Sequence, residues 1–369
     1  MNDPDTRVVL LSLDAVGHAV ISPKITPHLW ALREKGGWAP QGGRCDVPAV
    51  TYVSHATLTT GTRPARHGIT SNRAASPIAG TVPGWAGQAQ VRTPTLFDTL
   101  RDASLRTAAV CGDQNLVQIM GAVVAETIWP LGGILPEGTA TCSAGYAVND
   151  AVRKPLLDSI SDAALTFLFA HLNETDTWGH HHGPNHPLTL ASYTAADALV
   201  GEVVEVLRPD WDRLVLIVVS DHGMESAVHQ NPIDLLADDA VQTVVVDVVN
   251  EGGAAYAQVR NGATVEDAGV ALLGVPGVIS WQEIGPGVLL VEGEPGAVFA
   301  VGSTKHLRGV HGGAGTTVTI AVVAGGHTAV GRIVSAIEKR PPHLADWAPT
   351  IAAILGVPFS TAEGQNLAD

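Results

Sequence analysis

Residues Arg7–Leu13 read RVVLLSL, and Asp14 follows them directly. An unbroken apolar run of strand length, without the alternation of a half-solvated strand, marks a central parallel strand covered on both faces. Two further runs have the same texture, Leu165–Leu172 (LTFLFAHL) and Arg213–Ser220 (RLVLIVVS). The first empties into Asn173-Glu174-Thr175-Asp176-Thr177-Trp178-Gly179-His180-His181-His182-Gly183-Pro184, which reads as a Gly-punctuated loop. The second empties into Asp221-His222-Gly223-Met224. Between these runs lie helical stretches: Thr26-Pro27 opens one that ends at Gly36-Gly37, Thr93-Pro94-Thr95 opens LFDTLRDA, and His186–Leu207 reads as a long helix. Arg106–Cys111 supplies another strand. This alternation predicts an α/β fold with a central, mostly parallel, doubly wound sheet flanked by helices. Such sheets collect ligands at the carboxyl ends of their strands, so Asp14, Asp176 and Asp221 are candidates for chemistry.

Val47–Asn72, VPAVTYVSHATLTTGTRPARHGITSN, places Thr51 between a Pro-led extended segment and a helix read from about Tyr52 to Thr60, closed by Gly61. Thr51 then stands at a helix N-terminus, as an N-cap, where backbone N–H groups and the helix dipole favour an alkoxide or a phosphoryl oxygen. From Asn231 to about Lys305 the texture changes. Short β-like runs (Thr243–Val249, Ala254–Val259, Gly287–Val291, Ala297–Val301) surround one helical stretch, Val265–Leu273. The expected organisation is a catalytic α/β domain, residues 1–230 and 306–369, interrupted by a small α+β insertion or cap, residues 231–305. Arg308-Gly309-Val310-His311-Gly312-Gly313 returns to the texture of the site, with Val318–Val323 as the strand behind it, and Asp346–Leu355 reads as a closing helix.

A net charge of −15, from 36 acidic against 21 basic residues, opposes binding to a nucleic acid polymer. A small anionic substrate stays compatible, because bound cations can reverse the local field. No run of about 18 uncharged apolar residues occurs, which speaks against a membrane span. Asp3 and Asp5 precede the first strand almost at once, which fits neither a signal nor a transit peptide, and a cytoplasmic enzyme is expected. Cys45, Cys111 and Cys142 show no paired spacing and read as buried small hydrophobes. Oligomeric state, a homodimer included, is open at this level.

Asp14, Thr51, Asp176, His180, Asp221, His222 and His311 together offer carboxylate, imidazole and hydroxyl, the ligand set of zinc and its neighbours manganese, iron and cobalt. Two such ions about 4 Å apart form a clamp for in-line displacement at phosphorus. Taken in order, Asp14, Pro48-x-x-Thr51, Ser54-His55, Gly61, His67-Gly68-Ile69, Asn72, Asp176-x-x-x-His180, Gly183-Pro184, Ser220-Asp221-His222-Gly223-Met224 and His311-Gly312-Gly313 resemble the alkaline phosphatase superfamily. Within it they resemble the branch of nucleotide pyrophosphatase/phosphodiesterases and phosphonoacetate hydrolases.

The resemblance implies a hydrolase of a phosphodiester, phosphate ester or phosphonate that carries two zinc ions. One is held by Asp176, His180 and His311, the other by Asp14, Asp221 and His222 with Thr51 as a further ligand. It implies attack by Thr51 and a phosphothreonine intermediate, with Asn72 donating to a phosphoryl oxygen. Thr93–Met120 looks more like the phosphonoacetate hydrolases, yet Asp113 and Asn115 stand where those enzymes carry two carboxylate-gripping lysines. Asp113 and Asn115 are therefore substrate-contact candidates with altered specificity. Arg73, Arg153, Lys154, Lys305 and Arg308 are the cations that could grip an anion instead. A C–P hydrolase with a changed substrate grip, and a catalytically silent metal-binding homologue, are the alternatives.

Overall fold

The computed structural model of the 369-residue chain describes residues 6–72, 75–76, 80–81, 91–228, 232–300 and 306–369. Its centre is a seven-stranded sheet. Five of the strands are parallel: β1 (Arg7–Leu13), β3 (Thr107–Cys111), β4 (Thr127–Trp129), β5 (Phe167–Leu172) and β6 (Leu214–Val219). β11 (Ala321–Ala324) pairs antiparallel with β6, and β2 (Gly37–Trp38) pairs antiparallel with β11 at the edge, giving the order β2-β11-β6-β1-β5-β3-β4. The expected doubly wound architecture is therefore present.

Alternation along β1 explains why its sequence is apolar throughout. Val8 and Leu10 enter one core while Val9, Leu11 and Leu13 enter the other. β6 divides in the same way, Val215, Ile217 and Val219 against Leu214, Leu216 and Val218. The first core is covered by α2 (Thr51–Thr60), α3 (Leu96–Asp102), α8 (Ala329–Lys339) and α9 (Trp347–Ile354). The second is covered by α1 (Pro27–Lys35), α4 (Asn149–Ser161) and α6 (Pro187–Leu207). Each buried Val or Leu side chain contributes about 1.5–3 kcal/mol of transfer free energy, so the two cores hold the strand ends at fixed positions.

A second sheet of four antiparallel strands, β7 (Val245–Glu251), β8 (Ala254–Val259), β10 (Val288–Gly293) and β9 (Val278–Gly285), packs one face on α7 (Val265–Leu273). Its other face, with Tyr256 and Leu290, turns toward Val47 of the main body. Thr243 and Val244 belong to a short helix, Asp239–Val244, not to a strand, because the Asp238 carboxylate caps it by accepting from the Ala240 and Val241 N–H groups. Ala297–Ala300 forms only bridges at Phe299, and Val301 lies outside the described residues. No described helix is long and apolar enough to cross a membrane.

Candidate active site

The site forms at the carboxyl ends of β1, β5 and β6. Asp14 leaves β1 with its N–H bonded to Leu172 O of β5 at 2.9 Å. Asp221 lies two residues beyond β6, and its Oδ1 accepts from Ala15 N (3.1 Å) and His222 N (2.9 Å). Asp176 and His180 are not in a loop. They belong to α5 (Glu174–His182), where the four-residue spacing puts both on one face. His311 follows a short strand, Gly309–Val310, paired with Glu225–Ser226. Thr51 is the first residue of α2 and not its cap. Val50 is the N-cap with extended backbone and no side-chain capping bond, so the Thr51 hydroxyl is not spent on the helix.

These residues converge. His222 Nε2 lies 3.4 Å from Asp221 Oδ2, 3.6 Å from Asp14 Oδ1 and 3.4 Å from Thr51 Oγ1. Asp176 Oδ1 lies 3.4 Å from His180 Nε2 and 3.5 Å from His311 Nε2. The His222 and His311 rings stack with centroids 3.9 Å apart, and this joins the two halves. Two ligand groups fit within a cation's reach: Asp14, Asp221 and His222, and Asp176, His222 and His311. His180 adjoins the second group through Asp176.

Hydrogen bonding fixes which atoms face the centre. The Nδ1 atoms of His180, His222 and His311 each meet a backbone carbonyl, of Gly309 (3.0 Å), Gly223 (3.0 Å) and Ala49 (2.9 Å). A carbonyl can only accept, so Nδ1 carries the proton and Nε2 presents a lone pair. Opposite these lone pairs stand Asp14 Oδ1, Asp176 Oδ1 and Asp221 Oδ2, buried and without a hydrogen-bond partner. Burial pushes the His222 imidazole down to about 4 and His311 to about 3, so both are neutral at pH 7. Burial, with the neighbouring Asp221 and Asp176 carboxylates, pushes Asp14 well above the usual carboxylate range, and burial also raises Asp221. Acceptors facing acceptors in a buried site are satisfied by cations, and this donor set suits one or more divalent ions.

Residues outside the expected set hold these ligands in place. His171, inside β5, accepts from Asp113 N on Nδ1 (3.4 Å), which leaves its Nε2–H to donate to Asp14 Oδ2 (3.1 Å). His55 Nδ1–H donates to Thr51 O at 2.7 Å, one helical turn back. An imidazole inside an otherwise apolar strand was the available signal for His171; none of its partners is near in sequence.

Asn72 lines a cavity of about 500 Å³ together with Asp176, His180, His311, Phe299 and Glu251. Its Oδ1 accepts from Tyr52 N at 2.8 Å, which ties it to the start of α2. Asp113 and Asn115 stand behind Tyr52. Asn115 Nδ2 donates to the Tyr52 hydroxyl at 2.9 Å, and the buried Asp113 carboxyl, raised to about 7 chiefly by burial, accepts from Asn115 N at 2.8 Å. Arg153 and Lys154 pair with Glu202 and Asp158 on the outer face of α4, Arg308 is exposed, and Arg73 and Lys305 lie outside the described residues. Cys45 and Cys111 are buried, whereas Cys142 is half-buried and accepts from the Thr177 hydroxyl at 3.3 Å.

This arrangement has relatives. A pyrophosphatase/phosphodiesterase of Schizosaccharomyces pombe, itself uncharacterised, is 27% identical over 228 residues, 59% of this chain and 45% of that protein. Human ectonucleotide pyrophosphatase/phosphodiesterase family member 5 is 24% identical over 236 residues, 62% of this chain and 47% of that protein. The matched stretches thus span under half the length of these curated relatives. Murine ectonucleotide pyrophosphatase/phosphodiesterase 5, as an inactive threonine-to-alanine variant in complex with AMP, shares the fold with a TM-score of 0.72 at 18% identity, over 98% of this chain and 97% of that one. The type I phosphodiesterase / nucleotide pyrophosphatase family matches residues 8–271, which take in Asp14, Thr51, Asn72, Asp176, His180, Asp221 and His222. With that stretch covering well over half of the chain, the chain belongs to the type I phosphodiesterase / nucleotide pyrophosphatase family.

Proposed function

We propose that the protein is a metal-dependent hydrolase of small phosphodiesters or pyrophosphates that uses Thr51 as its nucleophile. One observation carries the reading: three orphaned carboxylate oxygens face neutral Nε2 atoms beside the Thr51 hydroxyl. Asp176, His180 and His311 would hold one zinc ion, and Asp14, Asp221 and His222 the other, with Thr51 against the second. When bound, such ions supply positive charge that lowers the pKa of a hydroxyl and neutralises phosphoryl oxygens.

The chain's own residues supply the rest. The N-terminus of α2 brings its dipole and the Thr51 N–H to the phosphoryl group, while the Tyr52 N–H is engaged by Asn72. Thr51 Oγ gives its proton to solvent and bonds to phosphorus, the ester or anhydride P–O bond breaks so that its oxygen departs with its substituent and takes up a proton from solvent, and a phosphothreonine results. Water then cleaves that P–O bond and restores the hydroxyl. Asn72, held by Tyr52 N, donates to a phosphoryl oxygen as charge develops there. Asn115 acts through the Tyr52 hydroxyl that it holds, and Asp113 acts behind it by accepting from Asn115 N. Glu251, Gly252, Val298, Phe299 and Ala300 form the cap side of the cavity, whose volume suits a small molecule. In the murine neighbour a threonine-to-alanine change gives an inactive protein that is seen with AMP, which agrees with a threonine nucleophile and a nucleotide-sized pocket.

Bis-p-nitrophenyl phosphate, p-nitrophenyl phosphate, the p-nitrophenyl ester of thymidine monophosphate and phosphonoacetate, assayed side by side with zinc counted per chain, test the proposal. Diester turnover above monoester turnover with about two ions per chain is expected. Metal-free protein that still hydrolyses the diesters, or turnover of phosphonoacetate alone, would overturn it.

A further inference from the structure

The hairpin turn between β7 and β8, Glu251-Gly252-Gly253, belongs to the small sheet, yet it touches both sides of the site. On one side the buried Glu251 carboxylate accepts from the Ser71 hydroxyl on Oε1 and from Asn72 N on Oε2 (3.1 Å). One strand over, the Tyr256 hydroxyl donates to Thr70 O at 2.6 Å, so the small sheet grips three successive residues. On the other side Gly253 N donates to His311 O at 2.8 Å. The backbones there are in contact: a Cβ on Gly252 would come within 2.1 Å of His311 O, and one on Gly312 within 1.8 Å of Glu251 O. Gly252 and Gly312 have φ of +72° and +109°, so side chains are excluded by conformation as well as by space. The His311 loop is tied in turn to α2 through Ala49, whose N–H donates to Gly312 O at 3.0 Å.

We infer that Glu251 is a positioning residue for the reaction. From the cap it fixes the Ser71–Asn72 backbone, so that Asn72 can receive Tyr52 N–H on Oδ1 and hold its carboxamide at the cavity wall beside Thr51. The inference rests on the proposed role of Asn72 at the phosphoryl group. Glu251 is 179 residues from Asn72 in sequence and reaches it through that contact. A carboxylate suits the place because two donors converge on it, one on each oxygen. A glutamine can reproduce the pattern, with Oε1 accepting from Asn72 N and its NH2 donating to Ser71 Oγ.

The test is a double-mutant cycle on the metal-loaded full chain with a diester substrate, joined to hydrogen exchange of the peptide that contains Asn72. Loss of a preorganised oxyanion donor costs on the order of a hundred-fold, so Asn72→Ala is expected to lower kcat about that much. Glu251→Ala should lower kcat about ten-fold at nearly constant KM, Glu251→Gln should restore most of it, and the double variant should be no worse than Asn72→Ala alone. Asn72 amide exchange should speed up in Glu251→Ala and not in Glu251→Gln. Multiplicative losses, or unchanged exchange at Asn72, would overturn the inference. If Asn72→Ala keeps full kcat, the proposed role of Asn72 fails instead, and the exchange data still decide whether Glu251 holds the loop. Should Glu251→Ala not fold, Ser71→Ala removes one of the two donors and takes its place in the cycle, with a loss of about three-fold expected and the same non-additivity.

Discussion

Removal of the proposed metal ions should cost stability as well as activity. Asp14 Oδ1, Asp176 Oδ1 and Asp221 Oδ2 are buried without partners, and the imidazoles opposite them present lone pairs. In the unfolded chain the same groups are hydrated and far apart, so nearly all metal affinity belongs to the folded state. With free ion held a thousand-fold above Kd, each site stabilises the fold by about 4 kcal/mol. A chain of 369 residues unfolds with an entropy of about 2.1 cal/mol/K per residue, roughly 0.8 kcal/mol/K in all, so each site should shift Tm by about 5 K and both by about 10 K. The assay is calorimetry of the protein as purified, after chelation with elemental analysis to show that the ions are gone, and after titration with zinc, manganese or cobalt. Asp221→Asn should remove about half of the shift, because it neutralises a ligand of one site only. A chelated, ion-free protein whose Tm matches that of the loaded one would refute the argument that these oxygens are held for cations.

Thr51→Ala should retain about two ions per chain while kcat falls at least several hundred-fold, as measured by steady-state kinetics beside elemental analysis. His171→Leu should weaken metal binding at the Asp14 site by about 10–100-fold in chelator competition, since the hydrogen bond that turns Asp14 Oδ1 inward is lost. His67, buried in the main body, accepts from Ile69 N on Nδ1 and donates to Thr57 Oγ1, and burial depresses its pKa to about 3. The folded pKa lies below the unfolded one, so the stability held by the neutral ring is complete above about pH 6.5. It is lost as pH falls toward 3, at up to about 1.4 kcal/mol per pH unit. His67→Gln should flatten that acid limb in urea titrations between pH 6.5 and 4, and an unchanged slope would sink the assignment.

Much of this site was legible in the sequence because buried parallel strands are apolar at every position, so an acid just beyond one stands out. RVVLLSL before Asp14 and RLVLIVVS before Asp221 are such cases. The stretch after β5 reads as a loop yet forms the helix α5. ETDTWGHHH carries Gly and polar residues with weak helix propensity, and packing of α5 against α6 and the Gly309–Val310 strand overrides it. The four-residue spacing of Asp176 and His180 was itself the helical signal. Thr51 looked like a cap because Thr caps many helices, but in the fold its hydroxyl faces His222 and extended Val50 makes the turn. Glu251 was invisible for a different reason. A lone acid ending a strand in an acidic protein reads as solvated, and its partners, Ser71 and Asn72, are 180 and 179 residues away. Local pattern reports which face of an element is buried; it does not report a hydrogen bond between two elements that meet only after folding.

On the proposed function, the charge distribution makes the capture of an anion depend on bound cations. The chain carries a net −15, and Asp14, Asp221, Asp176 and Glu251 all stand within the site or on its wall. Among the described residues that line the cavity there is neither a lysine nor an arginine. A phosphate diester approaching the ion-free site would therefore meet acidic side chains beside the neutral His222 and His311 rings, an unfavourable field that the dipole of α2, equivalent to about half a charge, does little to offset. Two divalent cations change the local sum by four positive charges and turn a repelling pocket into an attracting one. The wall contributed by the small sheet, with Glu251 already engaged by Ser71 and Asn72, then adds little negative potential at the phosphorus, because its charge is spent on the loop that presents Asn72. Acidic composition and a small anionic substrate are thus compatible through one feature beside Thr51: the Asp14 and Asp221 carboxylates, each fixed by a protein donor on one oxygen and left open on the other.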